Sequence, residues 1–304
     1  MVTVRAATAL ALAMLAVSGG AAQKSALQPS VDLVDIDVVV TDHSGQHVSG
    51  LTREDFEIKE DGKVVDIKTF MPVSSNGSTK LDDGRSMVVL LDDMGMSTMA
   101  TNSIRALANY MAAFAGPGDE FSVIRLTNKD DEPYGDFDSA VGRIAEYQPS
   151  PVPFDGVQAM EDVLNTVKAV AQRFEDAGRR RKVLVCIGSP QVCNILEPRR
   201  WAMRSMYQRW FEAVTAAARA NLSVYSLVSR RGGPSSGGLN EVTGGELFGT
   251  TSDLKPAVRR IWEDASRHYM IGYWPNGSSK ALHSIQVKVA GKDRHVLARR
   301  VRGS

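Results

Sequence analysis

Between Ser86 and Ser266 the apolar residues switch repeatedly between two spacings, and that switching restricts the chain to very few folds. Short unbroken apolar runs, Met87 to Leu91, Phe121 to Leu126, Val183 to Ile187 and Leu222 to Val228, have the composition of strands covered on both faces. Stripes at helical spacing lie between and after them: Ile104, Leu107, Met111 and Phe114; then Val157, Met160, Leu164, Val167, Ala171 and Phe174; then Met206, Trp210 and Val214; and last Ala257, Val258, Ile261 and Trp262. Strands and helices alternating in this way predict an open α/β sheet, mostly parallel and doubly wound, with helices on both faces as in Rossmann-like folds.

The two ends of the chain follow a different period. Val34, Ile36, Val38 and Val40 alternate with Asp35 and Asp37, the spacing of a half-buried strand. Phe56 and Ile58 resume it, Glu60-Asp61-Gly62-Lys63 carries the Asp-Gly hairpin signal, and Val65 with Ile67 returns it. Thr52 and Asp55 are spaced as a helix cap with room for a single turn. After Ser266 the strand pattern comes back in His268 to Tyr273, in Ile285, Val287 and Val289, and in Val296 to Val301. Neither end is large enough to hold a core alone. The expectation is therefore one discontinuous β-sandwich, residues 30–75 with 267–303, into which the α/β domain of residues 85–266 is inserted. Ser74 to Arg85 reads as a polar linker, and the basic runs Arg179 to Lys182 and Pro198 to Arg200 read as solvated loops.

Residues 1–22 have the order of a signal peptide: a basic opening to Arg5, the apolar run Ala6 to Val17, and the small residues Ser18 to Ala22. The run is shorter than the roughly 20 apolar residues a membrane span needs. Cleavage is expected after Ala22, with a periplasmic or extracellular location and no transmembrane segment in the mature chain. The formal net charge of +1 provides no global field for nucleic acid or an anionic membrane, so neither is expected as a partner. Cys186 and Cys193, seven positions apart, would then lie where disulfides persist. Two readings fit them, a bridge or a simply buried strand cysteine, and two cysteines with scattered histidines form no zinc pattern.

Several phrases resemble a known family. They are Val38-Val39-Val40-Thr41-Asp42 to Gly50-Leu51-Thr52-Arg53-Glu54-Asp55-Phe56 to Glu60-Asp61-Gly62-Lys63, Val88-Val89-Leu90-Leu91-Asp92-Asp93, Thr243-Gly244-Gly245-Glu246-Leu247-Phe248, and His268-Tyr269-Met270-Ile271-Gly272-Tyr273-Trp274-Pro275. Together they are similar to the von Willebrand factor A (VWA)-related domain proteins exported by Acidobacteria and their relatives. The resemblance implies a VWA fold, an extracytoplasmic location, and binding in place of catalysis.

It also implies a metal-ion-dependent adhesion site, an Asp-x-Ser-x-Ser motif after the first buried strand completed by a distant Thr and Asp. Such a site uses oxygen ligands for a hard cation. This sequence departs from that pattern. Counted from Asp92, the serine positions hold Met94 and Met96, whose thioethers are poor partners for Mg²⁺ or Ca²⁺. Counted from Asp93 they hold Gly95 and Ser97, which restores one hydroxyl. The loop expected to supply the threonine reads Pro151-Val152-Pro153-Phe154-Asp155-Gly156, and Cys186-Ile187-Gly188-Ser189 stands where a Thr-Asp-Gly or Ser-Asp-Gly would bring the second carboxylate. The expected partner-binding rim is thus Asp92, Asp93, Ser97, Asp155 and Ser189, with no resident metal or cofactor and at most a weakly held Mg²⁺ or Ca²⁺.

An enzymatic reading finds little in the sequence. There is no Gly-x-Ser-x-Gly elbow, phosphate-binding glycine loop or His-Glu-x-x-His helix. His43, His47, His268, His283 and His295 all fall in or beside the β-segments, away from the α/β strand ends. Asp130-Asp131-Glu132 is the paired-acid candidate, and the bland reading of it is a solvated loop. The sequence thus leads to an exported, non-enzymatic module that binds an extracytoplasmic protein or envelope component without a metal bridge. The alternatives are a Mg²⁺- or Ca²⁺-dependent adhesion protein, an envelope assembly factor using its sandwich edges, and, least favoured, a carboxylate-based hydrolase. N-terminal sequencing of protein from its native host should begin near Gln23; an intact Met1 would contradict export.

Overall fold

The computed structural model describes residues 33–303 apart from 75–83, 95–100, 117, 128–136, 151–154, 176, 179, 199–203, 230–237, 251–252 and 277–279. The expected signal peptide, most of the linker, Ser97, Asp130-Asp131-Glu132 and residues 230–237 lie outside the described residues. The chain opens with strands β1 (Val34–Thr41), β2 (Phe56–Glu60), β3 (Lys63–Val65) and β4 (Ile67–Ser74). Then follow β5 (Arg85–Leu91), α1 (Thr101–Phe114), β6 (Glu120–Arg125), α2 (Phe137–Ala145), α3 (Gly156–Phe174), β7 (Arg181–Gly188), α4 (Pro190–Cys193), α5 (Arg204–Ala220), β8 (Leu222–Ser229), α6 (Leu239–Thr243), β9 (Leu247–Thr250) and α7 (Lys255–Ser266). The last strands are β10 (Arg267–Tyr273), β11 (Leu282–Val289), β12 (His295–Leu297) and β13 (Val301–Gly303).

The centre is a parallel five-stranded sheet in the order β6-β5-β7-β8-β9. Strand periodicity sends Val88 and Leu90 to one face, where they pack with Leu164 and Val167 of α3 and Val214 of α5. Met87, Val89 and Leu91 go to the other, against Ile104 and Leu107 of α1 and Ile261 of α7. Each such fully buried aliphatic side chain contributes roughly 1.5–3 kcal/mol. The sheet is doubly wound, and its order reverses at β5. From β5 the chain steps outward to β6, then crosses back over β5 to β7. The carboxyl ends of β5 and β7 therefore separate, and this is where open α/β sheets form their crevices.

Strands from both ends of the chain make two further sheets of four, β12-β1-β10-β4 and β13-β11-β2-β3, packed around Ile36, Val38, Phe56, Ile58, Tyr269 and Ile271. The fold class is thus a doubly wound parallel sheet inserted in a discontinuous β-sandwich. The Asp-Gly turn joins β2 to β3, with Asp61 and Gly62 both at positive φ (49° and 79°), the geometry an I′ turn requires. Thr52 and Asp55 cap a single 3₁₀ turn, Arg53–Asp55.

The sandwich and the α/β layer meet across β1, which is buried on both faces. Ile36, Val38 and Val40 enter the sandwich core, while Asp37 faces β7. Arg181 Nη1 donates to Asp37 Oδ2 at 2.9 Å, and His268 Nε2 lies 3.6 Å from Asp37 Oδ1. All three side chains are almost wholly buried.

Several expectations are corrected here. Arg181 and Lys182 are not a solvated loop; they begin β7 and are buried, because the pair with Asp37 satisfies Arg181 at the seam. Arg85 is not linker: it begins β5, buried against Asp119, whose Oδ1 accepts from its backbone N and its Nε, both at 2.9 Å. Ser74 is likewise the last residue of β4. Val65 and Ile67 do not share a returning strand, since the chain turns at Asp66 and passes from one sheet of the sandwich to the other. Val157 leaves the stripe of α3 and is 52% exposed: it lies in the helix's first turn, and the buried face of α3 begins at Ala159. Val296 to Val301 breaks into β12 and β13, the connection between them being held by buried Arg299.

Burial, opposed by the Asp37 charge, lowers the His268 pKa from 6.5 to about 4. His268 is thus neutral in the folded protein where the unfolded chain would take up a proton, so stability is lost as pH falls from about 6.5 towards 4, by roughly 3 kcal/mol in all. Urea denaturation across that window should show the slope, and His268→Gln should flatten it.

Candidate functional site

The rim of the parallel sheet is built where β5 and β7 diverge. The main chain leaving β5 turns tightly, with Asp92 N donating to Ile187 O at 2.9 Å and Asp93 N to Leu91 O at 3.0 Å. These bonds hold Asp92 against β7 and turn Asp93 towards β6. Both side chains are buried.

Each carboxylate holds a neighbouring loop. Asp92 Oδ2 accepts from Ser189 N at 2.9 Å, tying the segment after β7 to the end of β5. Gly188 makes that approach possible, since a Cβ there would collide with the Asp92 side chain. Asp93 Oδ1 accepts from Thr127 N at 3.1 Å, and Asp93 Oδ2 accepts from the Thr127 hydroxyl, tying the segment after β6. The Asp93 carbonyl accepts from Ser150 N at 2.7 Å, which brings in the segment that follows α2. Two adjacent aspartates thus gather three separate connections.

Two hydroxyls near these carboxylates have no protein partner. Tyr147 is 1% exposed, with its phenol unbonded. Burial first, then the Asp93 and Asp92 charges, push its pKa well above the ordinary phenol value. The Tyr147 carbonyl is fixed by Arg105 Nε of α1 at 2.9 Å. The Ser189 hydroxyl is also buried without a partner. Below it, Cys186 at the end of β7 is joined by a disulfide to Cys193 at the end of α4, with Cα atoms 5.5 Å apart, so the loop carrying Ser189 is closed covalently as well as by Asp92.

Of the expected rim residues, the structure brings together Asp92, Asp93 and Ser189. Asp155 acts as the N-cap of α3, accepting from Val157 N at 2.9 Å and Gln158 N at 3.1 Å. Ser97 lies outside the described residues. Sequence reasoning passed over Thr127, Tyr147 and Ser150. A threonine just beyond a buried strand and level with an aspartate on its neighbour was the available signal for the first; nothing local marks the other two.

Among the described residues, the side chains at the rim are largely committed to the protein's own groups. Met94, at the first serine position, packs its side chain against the apolar cluster under α3 and α5. The Thr127 hydroxyl donates to Asp93, and Asp155 is turned to its own helix. Among the described residues no three His, Cys, Asp or Glu side chains converge as a metal site would require. No described helix is long and apolar enough to cross a membrane.

No family model matches the sequence, and no curated protein matches it. Among solved structures, the chain is similar to the human COPII-coat protein Sec24c at 9% identity and a TM-score of 0.39, covering 74% of this chain and 44% of that one, so it spans less than half of that protein's length. It is also similar to the TFIIH p34 N-terminal domain at 15% identity and a TM-score of 0.34, covering 60% of this chain and 99% of that one.

Gly188→Ala tests the construction of the rim. The added methyl must displace Asp92 or the β7 backbone, so urea denaturation should show a loss of about 1–3 kcal/mol, with faster amide exchange at Ser189 than in the parent protein.

Proposed function

We propose that the protein is exported and that the carboxyl rim of its parallel sheet binds another macromolecule outside the cytoplasm, an extracytoplasmic protein or envelope component, without a bridging metal ion and without catalysis. The observation that carries this reading is the closed use of Asp92 and Asp93. Both carboxylates are engaged with loop donors of the protein itself, which supports a preshaped surface in place of an open coordination site.

Three features support binding over turnover. The rim gathers the segments after β5, β6, α2 and β7 on a rigid sheet, the arrangement in which loops serve recognition. The disulfide fixes one of those segments, lowering the entropy lost when a partner docks. His47 and His268, which would be candidate bases, sit with Asp264 and Asp37 at the opposite, sandwich-facing side. The signal-peptide order of residues 1–22 supports the location.

Calorimetric titration with Mg²⁺, Ca²⁺ and Mn²⁺ is expected to show no binding tighter than about millimolar. Crosslinked pull-downs from the native envelope fraction should recover the same partner with and without chelator. Micromolar affinity abolished by Asp93→Ala, or a partner lost on chelation, would establish the metal-dependent alternative instead.

A further inference from the structure

The seam between the sandwich and the parallel sheet holds an imidazole with an acceptor on one side only. His268 Nε2 faces Asp37 Oδ1 at 3.6 Å, whereas its Nδ1 is buried with no hydrogen-bond partner. A neutral imidazole carries one N–H, which the Asp37 side can receive, while an imidazolium carries two. The second would be a charged donor buried without an acceptor, a costly state. Asp37 is not free to turn and serve it, because its Oδ2 already accepts from Arg181 Nη1 at 2.9 Å.

The groups facing His268 come from several elements. Asp37 approaches from β1 and Arg181 from β7, and His47 lies on the segment after β1. His47 Nε2 is 3.1 Å from Asp264 Oδ1 of α7, and Arg260, one turn earlier on that helix, reaches the same oxygen at 3.1 Å. Arg299 acts on Asp37 from the connection between β12 and β13. On β4 the residue paired with His268 is the apolar Val73. Asp37 favours a charged His268, but Arg181 and His47 both oppose it.

The two layers can keep their cores when this contact parts. The sandwich cluster around Ile36, Val38, Ile58 and Ile271 shares no residue with the buried clusters on the two faces of the parallel sheet. The layers are also joined elsewhere. Ser266 of α7 runs directly into Arg267 of β10, and Leu282 and Val301 pack against the cluster under α3 and α5.

We propose that Asp37, Arg181 and His268 form a proton-operated latch: protonation drives the His268 ring out of the seam and parts β1 and β10 from β7, while both layers stay folded and tethered at the α7–β10 junction and at β13. In the open seam the imidazole regains its ordinary proton affinity, whereas burial in the closed seam lowers its pKa from 6.5 to about 4. Each pH unit lost within that window therefore shifts the balance towards the open form by up to about tenfold. The latch is at the amino edge of the sheet, so it stands or falls apart from the reading of the rim.

Imidazole carbon shifts and amide exchange, corrected for the intrinsic pH dependence of exchange, test it on the full chain at about pH 7.5 and about pH 4.5. The His268 ring should be neutral at the higher pH, and its titration should coincide with a loss of protection of at least about tenfold in β1 and β10 around Asp37 and His268. Protection at Val89, Leu164, Ile58 and Ile285 should be kept, and the change should reverse on neutralisation. His268→Gln, which takes up no proton, should remove the step; the ring titration of the parent protein provides the second measurement should that variant fold poorly. An imidazolium already present at about pH 7.5, uniform loss of protection across both cores, no local loss by about pH 4.5, or the same step in His268→Gln would each overturn the proposal.

Discussion

The ion pair between Asp37 and Arg181 is the contact on which the arrangement of the whole chain depends. It joins a strand from the first fifty residues to the central strand of the inserted sheet, across an interface buried on both sides. Two charges taken out of water cost several kcal/mol each, and their attraction repays that only in good geometry with the remaining valences met. Here the second carboxylate oxygen faces His268, held neutral by burial. Nearby, His47 and Arg260 both approach Asp264 of α7, and Tyr225 donates to its other oxygen at 3.4 Å. A seam satisfied in this way is directional. Apolar packing would let the sandwich slide on the sheet, whereas a buried pair accepts one register.

That seam divides the labour between the two edges of the parallel sheet. Its amino edge is held by Asp37 with Arg181, by Arg85 with Asp119, and by Arg299 on the end of α5. At its carboxyl edge the described segments after β5, β6, α2 and β7 are organised by the two aspartates together with the Cys186–Cys193 disulfide. Variation in length or sequence at the carboxyl edge would not disturb the buried charges below. An interaction surface is therefore more readily built there than at the sandwich-facing edge, which is taken up by buried charged side chains.

Most of the fold was legible because period and composition carry it directly. The apolar runs of β5, β6, β7 and β8 and the stripes of α1, α3, α5 and α7 could hardly belong to another class, and the Asp61-Gly62 turn announced its hairpin. What escaped reading depended on distant partners. Arg181 and Lys182 look like a solvated basic run until Asp37, far off in sequence, is brought beside them. Val65 and Ile67 look like one strand because the alternation is locally uninterrupted, although the chain changes sheets at Asp66. At the rim, Asp92, Asp93 and Ser189 were legible from strand ends and spacing. Thr127 and Tyr147 were not, since their roles arise only when three connections converge.

At the rim, hydrogen bonds gather loops of the kind that a hard-cation site gathers around an ion. A cation's work at such a site is to hold several loops together by sharing their oxygens. Here backbone N–H groups and a hydroxyl converge on the carboxylates in its place, from Ser189 and Thr127, while Ser150 N binds the Asp93 carbonyl. Hydrogen bonds to a charged acceptor contribute about 1.5–3 kcal/mol each, so a few of them suffice to order the loops with no ion present. Met94, partly buried, packs against the apolar cluster under α3 and α5 and offers these carboxylates no oxygen. The buried hydroxyls of Tyr147 and Ser189, which have no hydrogen-bond partner, are polar groups left beside the two charges.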